Sequence, residues 1–491
     1  MTDPQTRLRQ AEREILARRP EHSIKPSLDR ITALTALLGD PQRSYPVIHI
    51  TGTNGKTSTA RMIETLLRAR GLRTGLFTSP HLSSIRERIC VDGEPLSAER
   101  FADAYEEVRP YLELVDQSQP AALSFFEVLT AMAFAVFADA PVDVAVIEVG
   151  VGGTWDCTNV ADGAVAVVTP ISIDHVRYLG NTVTAIATDK AGIIKPGAVA
   201  VLAQQPVDAA EVLLRRVAEV GASVAREGLE FGVTSRELAV GGQLIGIRGL
   251  LGSYEDLFLP LFGAHQAGNA ACALAAVEAF AGASAMGAAG EDAEPALTDD
   301  EPVPLDDDLV RSAFRMMSSP GRLEVVRRSP VVIVDAAHNP AGMAATVTAL
   351  TESFALTDLI AILAVSEDKD VPGILDELEP VVSELVVTGN SSPRSADPAK
   401  LAELAGAVFG PERVRAVPRL DDAIELAVEL ADEADARSAD GSGGPPGSAL
   451  VLITGSVITA GDARLLLTHT PSGEPAPGPA DAARRDEGDD G

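Results

Sequence analysis

The chain has 491 residues, 46% of them hydrophobic, and a formal charge of −31, which calls for two or more domains and argues against nucleic acid, whose phosphates it would repel. Aromatics make up 4%, so the cores must be aliphatic, and three cysteines, Cys90, Cys157 and Cys272, supply neither a disulfide framework nor metal-ligand spacing. The N-terminal stretch is charged and lacks the apolar h-region of a leader, and no apolar run reaches membrane-spanning length, so a cytoplasmic protein with no membrane partner is expected.

Residues 1–46 are expected to form an N-terminal helical segment, followed by an α/β domain over 47–280. That domain opens on Val47-Ile48-His49-Ile50-Thr51, a β-branched run that predicts a buried parallel strand. Gly52-Thr53-Asn54-Gly55-Lys56-Thr57 follows, and then the amphipathic pattern Ala60-Arg61-Met62-Ile63-Glu64-Thr65-Leu66-Leu67. A strand, a glycine-rich turn and a helix bring backbone N–H groups and a helix N-terminus against phosphates. Lys56 adds positive charge and Thr57 a hydroxyl for Mg²⁺. The usual eight-residue phosphate-loop pattern asks for glycine at position 50, where this chain has Ile50. The strand-turn-helix context and the Gly-Lys-Thr ending still predict an ATP- or GTP-binding loop. The bland alternative, a Gly-Asn turn, would leave Lys56 without a task.

Further strands are predicted over 74–77, 142–149, 164–168 and 199–203, with helices over 98–115 and 125–138. This alternation implies a mostly parallel sheet covered by helices. Residues 281–308, rich in Ala, Gly, Glu, Asp and Pro, read as an acidic linker without structure of its own. A smaller Rossmann-like α/β domain is expected over 309–470, its α/β pattern starting near Gly321, with strands over 331–334, 359–363, 385–387 and 449–453. Residues 437–448 read as a Gly/Ser/Pro loop and 471–491 as a disordered tail.

Several strand ends carry candidate chemistry, because ligands of open α/β sheets sit off the carboxyl ends of strands. Glu148 ends an apolar strand beside the phosphate loop and could hold Mg²⁺, or could merely cap a helix. Gly150, Gly152 and Gly153 turn the backbone tightly there and favour a site. Asp174-His175 follows another strand, where a histidine is either a metal ligand or a surface residue. Ser79, in Thr78-Ser79-Pro80-His81, could offer a hydroxyl to the same metal or cap a turn. Lys190 reads by spacing alone as an ordinary surface lysine. In the second domain, Arg322, Asp335 and His338 lie near strand ends and could clamp a nucleotide, or serve as turn and solvated residues.

Together these segments resemble the folylpolyglutamate synthase/dihydrofolate synthase family, within the Mur-ligase superfamily. The resemblance spans roughly residues 31–464 and rests on an ordered series. Its N-terminal members are Gly52-Thr53-Asn54-Gly55-Lys56, Thr78-Ser79-Pro80-His81-Leu82 with Glu87-Arg88-Ile89, Glu148-Val149-Gly150-Val151-Gly152-Gly153, Asp156-Cys157-Thr158-Asn159-Val160, Asp174-His175 and Lys190-Ala191-Gly192-Ile193-Ile194-Lys195. Gly263-Ala264-His265-Gln266 with Asn269, Pro320-Gly321-Arg322-Leu323-Glu324, Asp335-Ala336-Ala337-His338-Asn339-Pro340 and Thr454-Gly455-Ser456 complete it.

The resemblance implies an ATP-dependent ligase that adds L-glutamate to a folate carboxylate. Gly52, Thr53, Asn54, Gly55, Lys56 and Thr57 would hold the phosphates, with Asn269, Arg322 and Asp335 completing the nucleotide site. Ser79, Glu148 and His175 would hold Mg²⁺. Lys190 matches a lysine that the family carries as a carbamate, which reverses its reading as a surface residue. Ser124, Phe125, Phe126 and Glu127, with Trp155, Asp156 and Cys157, match segments lining the pterin or dihydropteroate pocket. His338, with a catalytic role, and Ser456 match motifs near the incoming glutamate. Two positions depart from the pattern: Thr57 stands where the family often has glycine, and Thr154-Trp155 where it often has Arg-Leu or Asp-Thr.

Small-molecule substrates (a folate or dihydropteroate, L-glutamate and ATP) and a monomeric state are expected. The alternative is a Mur-type ligase of cell-wall synthesis, for whose extra N-terminal UDP-sugar domain Gly52 lies too near the start. A non-catalytic nucleotide-binding protein of this fold is disfavoured by Lys56, Glu148, His175 and Lys190 occurring together.

Overall fold

The computed structural model describes residues 3–20, 25–287, 303–437 and 449–468. The chain divides into two compact units, residues up to Ser319 and residues from Pro320.

The first unit starts with helices α1 (Pro4–Leu16) and α2 (Asp29–Leu37), which lay Leu8, Ile15, Ile31 and Leu34 into the core. Strand β1 (Val47–Thr51) leads into α3 (Lys56–Ala69), then β2 (Thr74–Phe77) and the short β3 (Ile89–Val91) and β4 (Glu94–Pro95). Helices α4 (Ala98–Ser118) and α5 (Phe125–Asp139) precede β5 (Val144–Glu148) and β6 (Gly163–Val168). After them come α6 (Val176–Leu179), α7 (Val183–Lys190), β7 (Val199–Leu202), α8 (Val207–Val220) and β8 (Ser223–Arg226). Strands β9 (Gly232–Ala239), β10 (Gly242–Arg248) and β11 (Ser253–Leu259) precede α9 (Ala264–Gly287) and α10 (Asp307–Arg315).

Eight strands form one sheet in the order β4-β3-β2-β5-β1-β6-β7-β8. All its pairs are parallel except β2 with β3 and β3 with β4. Strand alternation splits the burial between its two faces. Ile48, Ile50, Val144, Val146, Val165 and Val167 face α3 and α9, while Val47, Ala145 and Ile147 face α4 and α5. Because both faces are covered, β1 and β5 are buried throughout, which is why they read as continuous apolar runs. The antiparallel sheet β11-β10-β9 packs Ile245, Ile247, Leu257 and Leu259 into the α9 side.

The second unit holds β12 (Glu324–Arg328), β13 (Val331–Val334), α11 (Pro340–Ser353), β14 (Asp358–Leu363), α12 (Val371–Leu378), β15 (Glu384–Val387) and α13 (Pro398–Phe409). Strand β16 (Val414–Ala416), α14 (Leu420–Arg437), β17 (Ala449–Thr454) and α15 (Val457–Thr468) complete it. Its sheet runs β12-β13-β17-β14-β15-β16, parallel except for β12 with β13.

The mostly parallel sheet in each unit agrees with the expected fold class. The boundaries differ. Residues 281–287 continue α9 instead of starting a linker, and Asp306 caps α10 by accepting from Leu309 N at 2.9 Å. Val310 and Phe314 of α10 lie in the core of the first unit, so 309–319 belong there and the division falls at Pro320. Residues 288–302, most of the 437–448 loop and the 471–491 tail lie outside the described residues; Arg437 itself is the last residue of α14.

Candidate active site

The end of β1 and the start of α3 build the glycine loop. Gly52 has φ 146°, and a Cβ there would lie 1.9 Å from Thr169 Oγ1. Gly55, at φ 87°, is the residue before α3, and a Cβ on it would meet Asn269 Oδ1 at 2.5 Å. Asn269, from the start of α9, therefore sits directly against the loop, its Nδ2 donating to Gln266 Oε1 at 3.1 Å.

Two lysines converge on one carbonyl. Lys56 Nζ donates to Gly52 O at 3.2 Å and to Thr53 O at 3.1 Å, and Lys190 Nζ, from the end of α7, donates to Gly52 O at 2.7 Å. Lys190 is buried, so it is not the surface residue that its spacing suggested. Burial, followed by repulsion from Lys56, pushes its ammonium down to about 7, within reach of the neutral amine at physiological pH.

Glu148 stands at the end of β5, directly opposite Ile50 of β1. Thr57 Oγ1 lies 2.9 and 3.0 Å from its two carboxylate oxygens, and Ser79 N donates to Oε2 at 3.1 Å. Ser79 thus reaches Glu148 through its backbone. Asp174 and His175 line the same cavity as Gly52, Thr53, Lys56 and Lys190; His175 has φ 50° and is exposed. Among the described residues no three His, Cys, Asp or Glu side chains gather into a metal cage. The groups here are the Thr57 hydroxyl, the Glu148 and Asp174 carboxylates and the His175 imidazole; their oxygens suit Mg²⁺, which keeps much of its water.

A second cavity adjoins the first, and Gly150 and Val151 line both. Ser124, Phe126, Glu127, Trp155, Asp156 and Cys157 line it as well. Phe126 packs on Phe77 with ring centroids 5.6 Å apart. Phe125 is not among the lining residues; its ring carries the Arg88 guanidinium at 5.0 Å. Ser124 caps α5 in a reciprocal box with Glu127, whose carboxylate accepts from Arg30 Nε at 2.8 Å and Arg19 Nη2 at 3.3 Å. Arg19, Lys25 and Arg30 also line the cavity. The sequence reading missed these three. The one signal was a cluster of cations from the end of α1 to the first turn of α2, and charge clusters more often mark a solvated face.

In the second unit, both Asp335 oxygens are engaged locally. Oδ1 accepts from Ala337 N and Thr346 Oγ1 at 2.9 and 2.8 Å, and Oδ2 from Leu323 N at 3.0 Å. This carboxylate shapes the turn after β13. Arg322 Nη1 donates to Gly321 O, His338 Nδ1 lies 2.9 Å from Ala336 O, and Ser456 Oγ accepts from Ile458 N at the start of α15.

The Mur ligase middle domain matches residues 50–277, and the Mur ligase glutamate ligase domain matches residues 321–443. The dihydrofolate synthase/folylpolyglutamate synthase of Mycobacterium tuberculosis is 51% identical over 94% of this chain and 94% of its own length. The solved Mycobacterium tuberculosis folylpolyglutamate synthase complexed with ADP superimposes with a TM-score of 0.87 at 50% identity, over 96% of this chain and 100% of that one. A solved FPGS–AMPPCP–folate complex superimposes with a TM-score of 0.75 at 31% identity, over 94% of this chain and 100% of that one.

Proposed function

The chain belongs to the folylpolyglutamate synthase/dihydrofolate synthase family of the Mur ligases, and from that premise we propose that it joins L-glutamate to a folate carboxylate with ATP. One observation carries this reading beyond family membership. A lysine-bearing glycine loop and an aromatic-lined cavity share the wall formed by Gly150 and Val151. A phosphate donor and a flat heterocyclic acid can therefore sit side by side. The ADP and AMPPCP bound by the solved relatives support a nucleotide in the first cavity, and the folate bound by one of them supports the second.

A carboxylate does not react with an amine at neutral pH. Transfer of the γ-phosphoryl group to a folate carboxylate oxygen gives an acyl phosphate and ADP. The deprotonated amine of glutamate then adds to the acyl carbon, and phosphate leaves with that oxygen. Gly52, Thr53, Asn54, Gly55 and Thr57 would bind the phosphates through backbone N–H groups and a helix N-terminus. Lys56 would neutralise charge gathering on the β- and γ-phosphates, and Asn269 would border the nucleotide. Thr57, Ser79, Glu148 and His175 would hold Mg²⁺, which when bound supplies further positive charge against the phosphates.

Lys190 would carry a carbamate, formed when the neutral amine adds CO₂ and loses a proton. Its burial and lowered pKa support that reading, since a buried ammonium gains little there. Ser124, Phe126, Glu127, Trp155, Asp156 and Cys157 would receive the folate, with Phe125 their neighbour in α5. In the second unit, Arg322 and Asp335 are proposed for the nucleotide, and His338 and Ser456 for glutamate. The substrates are small molecules, and no helix among the described residues is long and apolar enough to cross a membrane. A cell-wall ligase has support at the superfamily level alone.

Phosphate release by the purified chain with ATP and Mg²⁺ tests the reading, with dihydropteroate and tetrahydrofolate offered in separate reactions. Release should require glutamate together with at least one of the two. Release with glutamate and a UDP-linked muramoyl peptide, and with neither folate, would overturn it.

A further inference from the structure

His49 is fully buried in β1, three residues before Gly52, and its side chain has no place in the mechanism above. Its Nε2 lies 2.9 Å from Thr158 Oγ1, across 109 residues of chain. Thr158 Oγ1 donates to Asp156 Oδ1 at 2.6 Å, and Thr158 N reaches the same oxygen at 2.9 Å. Asp156 Oδ2 accepts from Val151 N at 3.0 Å. Asp156 therefore ties the short helical turn Cys157–Val160 to Val151, in the wall that both cavities share. Thr51, two residues after His49, holds the residue after that wall, its Oγ1 donating to Gly152 O at 2.6 Å.

The proton count fixes the direction of this chain. The Thr158 hydroxyl has one proton. Burial raises the Asp156 carboxyl above its usual range, but Thr158 N and Val151 N each donate to one of its oxygens, so both oxygens act as acceptors and Oδ1 takes the hydroxyl proton. Thr158 must therefore accept from His49, so Nε2 carries the imidazole proton. His49 Nδ1 is then a bare acceptor, consistent with its having no partner among the described residues. The ring stays neutral at working pH, because burial and then Lys195 push it down to about 3. Gly163 makes the room: a Cβ there would come within 3.1 Å of His49 Cβ.

We propose that His49 is a positioning residue, which acts through Thr158 and Asp156 to hold the wall between the nucleotide and folate cavities in register with the phosphate-loop strand. The proposal rests on the folate reading of the second cavity. Burial makes each link worth more than it would be at the surface, since a broken link leaves an unpaired polar group inside the protein.

The test is steady-state kinetics with whichever folate the wild type turns over. Thr158→Val should raise the folate KM about tenfold, the size of one buried hydrogen bond, and leave the ATP KM within about twofold, because its neighbours Asp156 and Cys157 line the folate cavity alone while Gly52, Thr53, Lys56 and Lys190 keep the nucleotide one. Thr158→Ser, which keeps the hydroxyl, should stay near wild type. His49→Gln, whose amide N–H can stand in for Nε2–H, should be far milder than His49→Leu. His49→Leu combined with Thr158→Val should be no worse than the worse single variant. If His49→Leu does not fold, the Thr158 pair decides. Equal effects of Thr158→Val and Thr158→Ser, or folate and ATP KM rising together, would overturn the proposal. A ¹⁵N histidine spectrum should show His49 protonated at Nε2, assigned by its absence in His49→Gln; an Nδ1–H tautomer would equally overturn it. A wild type that saturates with no folate would overturn both this proposal and the folate reading beneath it, whereas a saturable wild type with unmoved variants refutes the relay alone.

Discussion

Lys56→Ala should lower ligation by about 10³-fold or more, the scale on which positioned charges act in phosphoryl transfer, without unfolding the chain. The ammonium donates to the Gly52 and Thr53 carbonyls and lies at the cavity that Lys190 and His175 also line. Truncation lets water reach those two carbonyls, so little packing is lost. The melting temperature should move by no more than about 3 °C, as expected for a sub-kcal/mol change in a unit of this size. Lys56→Arg keeps the charge but not the compact ammonium, and should recover a small part of the rate. Turnover near wild type in Lys56→Ala would remove the phosphate-loop role from this lysine.

Lys190→Ala should be comparably damaging, and its pH behaviour separates a carbamate from a structural lysine. The folded-state pKa is lowered to about 7 by burial and by Lys56. Below that value the amine is protonated and cannot add CO₂; above it, the neutral amine can. Activity of the wild type should therefore rise as pH increases through about 7, and at fixed pH it should fall when bicarbonate is stripped and return when it is restored. In Lys190→Ala the bicarbonate response should vanish, and a short carboxylic acid should restore part of the rate by replacing the missing carboxylate. A bicarbonate-independent wild type with the same pH profile would show that the lysine works as an amine.

The parts of the fold legible in the sequence were those where burial leaves a pattern. Strands β1, β5, β6 and β17 are covered on both sides, and their β-branched runs gave them away. The antiparallel β9 did not stand out because most of its residues, such as Thr234, Ser235 and Glu237, are exposed and carry no apolar alternation. Strands β3 and β4 are too short for any periodicity to show. The end of α9 was lost because Gly282 and the acidic residues beyond it look like linker. At the site, glycines and charged residues at strand ends marked the first cavity, whereas the second was expected from the family resemblance alone. Arg19 and Arg30 were not legible: their partner is Glu127, about a hundred residues away, and nothing local distinguishes them from solvated arginines. His49 was hidden for the same reason, as a single polar residue inside an apolar strand whose partner lies over one hundred residues downstream.

Oxygen transfer tests the central claim most directly. The folate carboxylate is labelled with ¹⁸O, and the chain is supplied with it, ATP, Mg²⁺ and L-glutamate until product accumulates. Phosphoryl transfer to the carboxylate, followed by amide formation, predicts one ¹⁸O in each inorganic phosphate released and a folate heavier by one glutamyl residue that retains a single label. Unlabelled phosphate, or phosphate released with no gain of a glutamyl residue by the folate, would contradict ligation through an acyl phosphate.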